Sequence, residues 1–246
     1  MTELRARPLA GIPEVRPGDD LAALLAAARG EPFAPGEILV LAHKVVSKAE
    51  GALRALADVE PGERARELAA ALGKDPRHVQ VVLDECAEVV RAERGVLICR
   101  TRHGYVCANA GVDASNAPAD GVLVTLPRDP DASARALRDA LPGRPAVVIT
   151  DSFGRAWRHG QTDVAIGIAG LAALEDWRGR RDAHGRELRA TWIAIADEAA
   201  AAADLVRGKD ARQPAVVVTG LERHITPGHG PGAAALVRPV EDDLFA

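Results

Sequence analysis

Aromatic side chains are scarce in this chain, at 3% of 246 residues, and there is a single methionine. A core therefore has to be assembled from Ala, Val, Leu and Ile. With 48% hydrophobic residues the chain can still bury one sizeable core, or two intimately joined lobes. Cysteine is sparse as well: Cys86, Cys99 and Cys107 form no CxxC pair and read as small apolar packing residues. That odd, low number speaks against a disulfide framework and suits a reducing compartment. No apolar run approaches the roughly 20 residues needed to span a bilayer. The first apolar stretch is broken by Pro8, Gly11 and Pro13, so no secretory leader is expected. A cytoplasmic protein with no membrane partner is expected.

Positive charge is not in excess either. The formal net charge of −4 argues against a nucleic-acid binder, which would show a basic face. Arginines cluster only locally, at Arg155, Arg158, Arg178, Arg180 and Arg181, which fits a small anionic ligand better than a polymer. Several catalytic signatures are missing. No GxxxxGK[ST] occurs, so there is no P-loop. There is no GxSxG elbow and no HExxH, and the histidines show no zinc spacing. Gly228-His-Gly-Pro-Gly232 lacks the lysine, strand and helix of a phosphate loop and reads as part of a tail.

Two polar segments stand out against this background. Asn109-Ala-Gly-Val-Asp113-Ala-Ser-Asn116 and Thr150-Asp151-Ser152-Phe-Gly-Arg155 carry carboxylates, amides, hydroxyls and an arginine in turn-prone backbone. Neither has the alternation or helical period of a core element. Acidic oxygens beside an arginine suit an anionic substrate bridged to a hard divalent cation, which points to phosphate chemistry.

The remaining pattern is mixed. Asp19 or Asp20 caps a helix through Ala28, ended by Gly30, and Glu37 to Ala42 reads as a buried strand. His43 to Gly51 is polar enough to emerge at a surface or a site. Helices are expected over residues 61–72, 76–91, 130–141 and 195–206, with Gly73 and Gly208 as stops. Strands are expected at 95–100, 105–109, 121–126, 145–150, 164–169 and 214–219, with a turn at His103-Gly104. Ser152 to Asp163 and Asp176 to Leu188 read as polar loops. From Glu222 the chain is rich in Gly and Pro, as a flexible connection or an arm over a partner subunit would be. Hairpin signals beside strand–helix alternation favour an α+β fold, in one domain over residues 1–246.

Each candidate residue competes with a plainer explanation. Asp151 follows a buried strand, where open sheets place ligands, but an aspartate there also caps its own turn. Asp113 could be an Asx-turn residue; with Asn116 it offers the hard oxygens that Mg²⁺ or Mn²⁺ takes. Lys44 and Lys48 suit either a solvated loop or phosphate neutralisation. Gly11-Ile12-Pro13 is a turn, or a place where backbone approaches a base or ribose.

Taken in order, these segments resemble the coenzyme F420-0:L-glutamate ligase family (CofE). The resemblance runs from Gly11 to Phe245. It rests on Gly11-Ile-Pro13 with Gly18-Asp-Asp20, Val46-Ser-Lys-Ala-Glu-Gly51, the Asn109–Asn116 motif and Thr150-Asp-Ser-Phe-Gly-Arg155. Gly160-Gln-Thr-Asp-Val-Ala-Ile-Gly167, Asp176-Trp-Arg-Gly-Arg and Gly185-Arg-Glu-Leu188 complete it. The resemblance implies GTP-dependent addition of L-glutamate to F420-0, a divalent-metal site for Mg²⁺ or Mn²⁺, a mixed α+β fold and a homodimer. It implies Asp113, Asp151 and Ser152 as metal ligands, and Asn116 as a nucleotide contact. Ala10, Gly11, Ile12, Pro13, His43, Lys44 and Lys48 look like further nucleotide contacts, and Gly208 and Lys209 are placed with them.

Asp151 and Arg155 are the residues expected to carry the chemistry, Arg155 by steadying transferred phosphate or substrate carboxylate. Gly208-Lys209-Asp210 departs from relatives that carry an acidic ligand in this segment, which leaves Asp210 as only a candidate second-metal ligand. Some bacterial relatives fuse a nitroreductase-like domain to this one; with the sequence stopping at Ala246, that activity is not expected. Two rivals remain: a metal-dependent ligase or phosphotransferase acting on another carboxylate, and a non-catalytic nucleotide-binding partner.

Overall fold

The computed structural model describes residues 3–243. The chain opens with strand β1 (Arg5–Leu9), enters helix α1 (Leu21–Arg29) and returns as strand β2 (Ile38–Ala42), which runs straight into helix α2 (His43–Ala49). Strand β3 (Leu53–Ala55) leads to helices α3 (Glu63–Leu72) and α4 (Pro76–Asp84). Strands β4 (Cys86–Glu93), β5 (Val96–Thr101) and β6 (Val106–Ala108) follow, then β7 (Val122–Val124), which pairs back onto β3. Helix α5 (Pro130–Ala140) precedes the long hairpin of β8 (Ala146–Arg155) and β9 (Arg158–Ala169). Short strands β10 (Glu175–Asp176) and β11 (Trp192–Ile193) bracket a polar excursion before helix α6 (Ile195–Val206) and strand β12 (Ala215–Thr219).

The principal sheet has the order β1-β12-β2-β8-β9. Only β2 and β8 run parallel; every other neighbouring pair is antiparallel, so the expected α+β class holds. Alternation along the central strands divides two cores. Leu39, Leu41, Val147, Ile149 and Val217 face α1 and α5, meeting Leu21, Leu25, Ala134 and Leu137. Ile38, Val40, Val148, Val216 and Val218 face α6, whose Ala196 and Ala203 let the helix approach the strands closely. The third core belongs to a smaller lobe, where Leu68, Leu72, Val79 and Val82 of α3 and α4 cover Leu97 and Cys99 of β5.

Two of the scarce aromatics, Tyr105 and Phe153, meet where the lobes join. Tyr105 donates its hydroxyl to the Ile166 carbonyl at 2.5 Å, tying the small lobe to β9. Its ring stacks on His103 and meets Phe153 edge-on. Gly167 serves a different junction: a Cβ there would lie 2.4 Å from the Pro130 carbonyl, so only glycine lets α5 start this close to the sheet. The gain is Asp131, whose carboxylate accepts from the Ile168 and Ala233 amides, each at 2.8 Å.

Helix α1 begins and ends as expected, with Asp20 accepting from the Ala23 amide and Gly30 in a left-handed conformation. Four expectations change. The helix expected to reach Arg91 stops at Asp84, and the next residues form β4, whose two register shifts hide its alternation. Ser152 to Asp163 is the far half of the β8–β9 hairpin rather than a loop; both its faces meet water near the tip, so it carries no apolar face to read. The polar segment after β2 is helix α2, with His43, Ser47 and Lys48 buried because each finds a partner. Strand β1 is additional: Pro8 sits within it, tolerated because β1 is an edge strand.

The chain from Glu222 runs along its own sheet, with Leu171 bridging Ile225 and the Gly170 amide donating to the His229 carbonyl at 2.7 Å. The arm expected over 222–246 extends past Asp243, and residues 244–246 lie outside the described residues. Among the described residues no helix is long and apolar enough to cross a membrane.

Candidate functional site

The parallel pairing of β2 with β8 sets the site. Ala42 lies opposite Thr150, so the residues that follow, His43 opening α2 and Asp151 continuing β8 beside β9, come together at the carboxyl end of β2. His43 is 2% exposed; its Nε2 lies 3.3 Å from Asp151 Oδ1, and its Nδ1 lies 3.2 Å from Ser47 Oγ. Asp151 Oδ1 also accepts the Ser152 amide at 2.8 Å.

Lys44, one residue further along α2, reaches the other polar segment. Its ammonium donates to Asp113 Oδ2 and to Ser115 Oγ, each at 2.6 Å. Asp113 is at once an Asx-turn residue, accepting the Ser115 amide at 2.7 Å, and the partner of a lysine. Burial pushes the Asp113 carboxyl up, yet Lys44 and the two Ser115 donors outweigh it and hold the group below the ordinary carboxylate range. The backbone around it is strained. Asn109, Ala110 and Gly111 are left-handed in succession (φ 53°, 51° and 74°), and Asn116 is left-handed as well. Such a run persists where surroundings over-determine it. Here Lys74 donates to Asn109 Oδ1 at 2.9 Å, and a Cβ on Gly111 would strike the Leu126 side chain at 2.7 Å.

Behind Asp151 lies a buried network absent from the sequence reading. Cross-strand register places Asp163 opposite Ser152, and Asp163 is 2% exposed. It accepts from Ser152 Oγ at 2.6 Å and from Thr150 Oγ1 at 2.8 Å, and pairs with the Arg207 guanidinium. Arg207 also donates to Thr150 Oγ1 at 3.0 Å. Lys209 donates to Ser152 Oγ at 2.8 Å and to Asp204 at 3.0 Å, which brings the Gly208-Lys209 segment to the same edge. The readable signal was an acidic residue entering the apolar run Val164 to Ala169, answered by an arginine after the apolar helix α6.

The other expected residues fall in distinct places. Lys48 is buried and donates to Glu14 at 2.5 Å, which fastens α2 beside the Ala10–Pro13 turn. In that turn Gly11 is left-handed and Ile12 packs on the main core. Asn116 is exposed, as are Gly208 and Asp210. Arg155 sits at the tip of the hairpin and donates to the His159 carbonyl at 2.6 Å. Four residues of strand, about 13 Å, separate it from Asp151, so the fold does not bring these two together.

Among the described residues no three His, Cys, Asp or Glu side chains converge into a metal cage. Asp113, Asp151 and Ser152 nevertheless supply hard oxygen donors, the right chemistry for Mg²⁺ or Mn²⁺. Magnesium is commonly held by one or two carboxylates with the rest of its shell from phosphate and water, so the donor set fits an ion that arrives with an anionic substrate.

Carboxylates interleaved with ammonium, imidazole and guanidinium groups at the carboxyl edge of parallel strands have the chemistry to receive an anionic ligand. The family model described as F420-0:Gamma-glutamyl ligase matches residues 11–220, and the chain belongs to that family of ligases. Among curated relatives, "Coenzyme F420:L-glutamate ligase" of Methanopyrus kandleri is 46% identical over 98% of this chain and 97% of its own length. The protein of the same description from Methanothermobacter thermautotrophicus is 44% identical over 96% of each chain. That from Archaeoglobus fulgidus is 45% identical over 87% of this chain and 86% of its own.

Proposed function

We propose that this protein is a GTP- and divalent-metal-dependent ligase that adds L-glutamate to F420-0 in coenzyme F420 biosynthesis. The observation that carries the reading is likeness to glutamate ligases along nearly the whole chain, with Asp113 and Asp151 each held by neighbouring residues of α2.

Amide formation from a carboxylate needs a leaving group. In the proposed course the γ-phosphoryl group of GTP passes to a carboxylate oxygen of F420-0, giving an acyl phosphate and GDP. The glutamate amine then attacks the acyl carbon, the C–O bond to phosphate breaks, inorganic phosphate leaves, and the amine gives up its proton. Lys44 and Lys48 neutralise nucleotide phosphate. Asp113, Asp151 and Ser152 Oγ would hold the ion. When bound, it supplies positive charge that offsets the charge developing on the transferred phosphoryl group. Asp163 and Lys209 fix the Ser152 hydroxyl by hydrogen bonds from two sides. The reading includes a homodimer, which sedimentation of the full chain tests.

The direct experiment incubates purified protein with F420-0, L-glutamate, GTP and Mg²⁺ or Mn²⁺ and reads product masses. Glutamyl-extended products that vanish without GTP or metal are expected. Extension that proceeds equally well without either would overturn the nucleotide and metal dependence. For the nucleotide side, Lys48→Ala is expected to raise the KM for GTP by roughly tenfold, the scale of one charge-assisted contact. A change confined to the KM for glutamate would move Lys48 to the other substrate.

A further inference from the structure

Between the lobes lies a cleft of about 580 Å³ lined by Glu50, Arg54, Glu85, Arg102, Thr125 and Arg128 among others. It gathers side chains from distant segments: the end of α2, strand β3, the end of α4, the turn after β5 and the start of α5. Glu85 is buried, and it braces two of the arginines. Arg102 lies 2.6 Å from one of its oxygens and Arg54 lies 3.8 Å from the other. A guanidinium has five N–H donors, so one shared carboxylate does not use them all, even though Arg54 Nη1 also donates to the Leu53 carbonyl at 3.0 Å. Both arginine side chains stay about half exposed, at 43% and 49%. Arg128 makes no ion pair among the described residues, while its backbone is pinned by His103, whose Nε2 lies 3.1 Å from the Pro127 and Arg128 carbonyls.

Opposite charge is present as well. Glu50 accepts the Ser133 hydroxyl through one oxygen, which leaves acceptor capacity on the carboxylate. Position matters too: Thr125 directly follows Val124, which exchanges two backbone hydrogen bonds with Asp113, at 3.0 and 2.8 Å. The cleft therefore begins about one strand spacing, roughly 5 Å, from the Asp113 backbone.

Arginines braced to receive carboxylates, with one carboxylate free to receive an ammonium, match a zwitterionic dicarboxylic amino acid. A diester or a simple polyanion would have no use for Glu50 and would be repelled by it. We propose that this cleft is the amino-acid subsite: Arg128, Arg102 and Arg54 receive the two carboxylates of L-glutamate, and Glu50 receives its ammonium group. The inference rests on the ligase reading for the identity of the amino acid, and it assigns that substrate to a place. The acidic tail of the acceptor is the other source of carboxylate for the same arginines.

The test is steady-state kinetics of Arg128→Gln and Glu50→Gln, varying L-glutamate, F420-0 and GTP in turn. Glutarate, which has both carboxylates and no ammonium, serves as a competitive probe. Arg128→Gln is expected to raise the KM for L-glutamate and the inhibition constant of glutarate together, each roughly tenfold or more. Glu50→Gln is expected to raise the KM for L-glutamate while leaving glutarate inhibition unchanged. The KM for GTP should stay within about twofold in both, below the effect of one lost charged contact. A raised KM for F420-0 with an unchanged KM for L-glutamate would assign the cleft to the acceptor and overturn the proposal. If the wild-type chain makes no product, the ligase reading fails. Calorimetric titration of L-glutamate into wild type and Arg128→Gln then judges the cleft separately, and equal affinities overturn it.

Discussion

Asp151→Asn is expected to remove most metal-dependent turnover, by roughly 10²- to 10³-fold in kcat, the scale of losing one electrostatic group aimed at developing charge. The fold should survive. Asparagine is isosteric, its amide oxygen can still accept the Ser152 N–H, and the position is partly open to solvent, with a side chain 16% exposed. A change in unfolding free energy within about 1 kcal/mol is expected. What the substitution removes is formal charge at the edge where His43 and Ser47 already form a fixed polar frame. The measurement is kcat against metal concentration for both proteins, beside a urea unfolding curve for each. Full turnover with the wild-type metal dependence would sink the assignment of Asp151. Loss of turnover with an equal loss of stability would make the residue structural.

Much of this frame was legible because local signals and tertiary packing agree. Helix α1 carries its own start and stop in Asp20 and Gly30, and α6 carries a long alanine-rich pattern that its burial confirms. Asp151 was readable because an apolar run gives way abruptly to polar residues, and Asp113 because amides and carboxylates crowd a stretch with no periodicity. What escaped depends on partners distant in sequence. Strand β4 hides behind two register shifts, and β1 behind a proline that an edge strand accepts. Asp163 acquires its meaning from the register that sets it opposite Ser152, and Arg207 from the α6–β12 connection that returns it to the same edge. The Glu85–Arg102 pair is likewise invisible until the small lobe folds, since the chain between them runs through β4 and β5. Arg155 shows the reverse case: adjacency in sequence to Asp151 suggested a shared site, and an extended strand carries it away.

Asp163→Ala is expected to cost about 3–5 kcal/mol of stability, because it strands a buried guanidinium rather than because an ion pair is strong. Arg207 is 8% exposed, and after the substitution its remaining partners are Thr150 Oγ1 at 3.0 Å and the Pro214 carbonyl at 3.3 Å. A shift of the urea midpoint with an unchanged slope measures the effect, and a loss under about 1 kcal/mol would overturn it. The paired replacement Asp163→Val with Arg207→Met separates two reasons for keeping buried charge here. Removing both charges together spares the desolvation cost, so stability is expected to return to near the wild-type value. Turnover is not expected to return with it. Ser152 Oγ and Lys209 take their positions from the Asp163 carboxylate, at 2.6 and 3.7 Å, and valine offers neither a hydrogen bond nor a countercharge. A stable but slow double variant would mean that the pair is retained to orient the edge beside Asp151. A stable and fast one would leave the pair with a folding role alone.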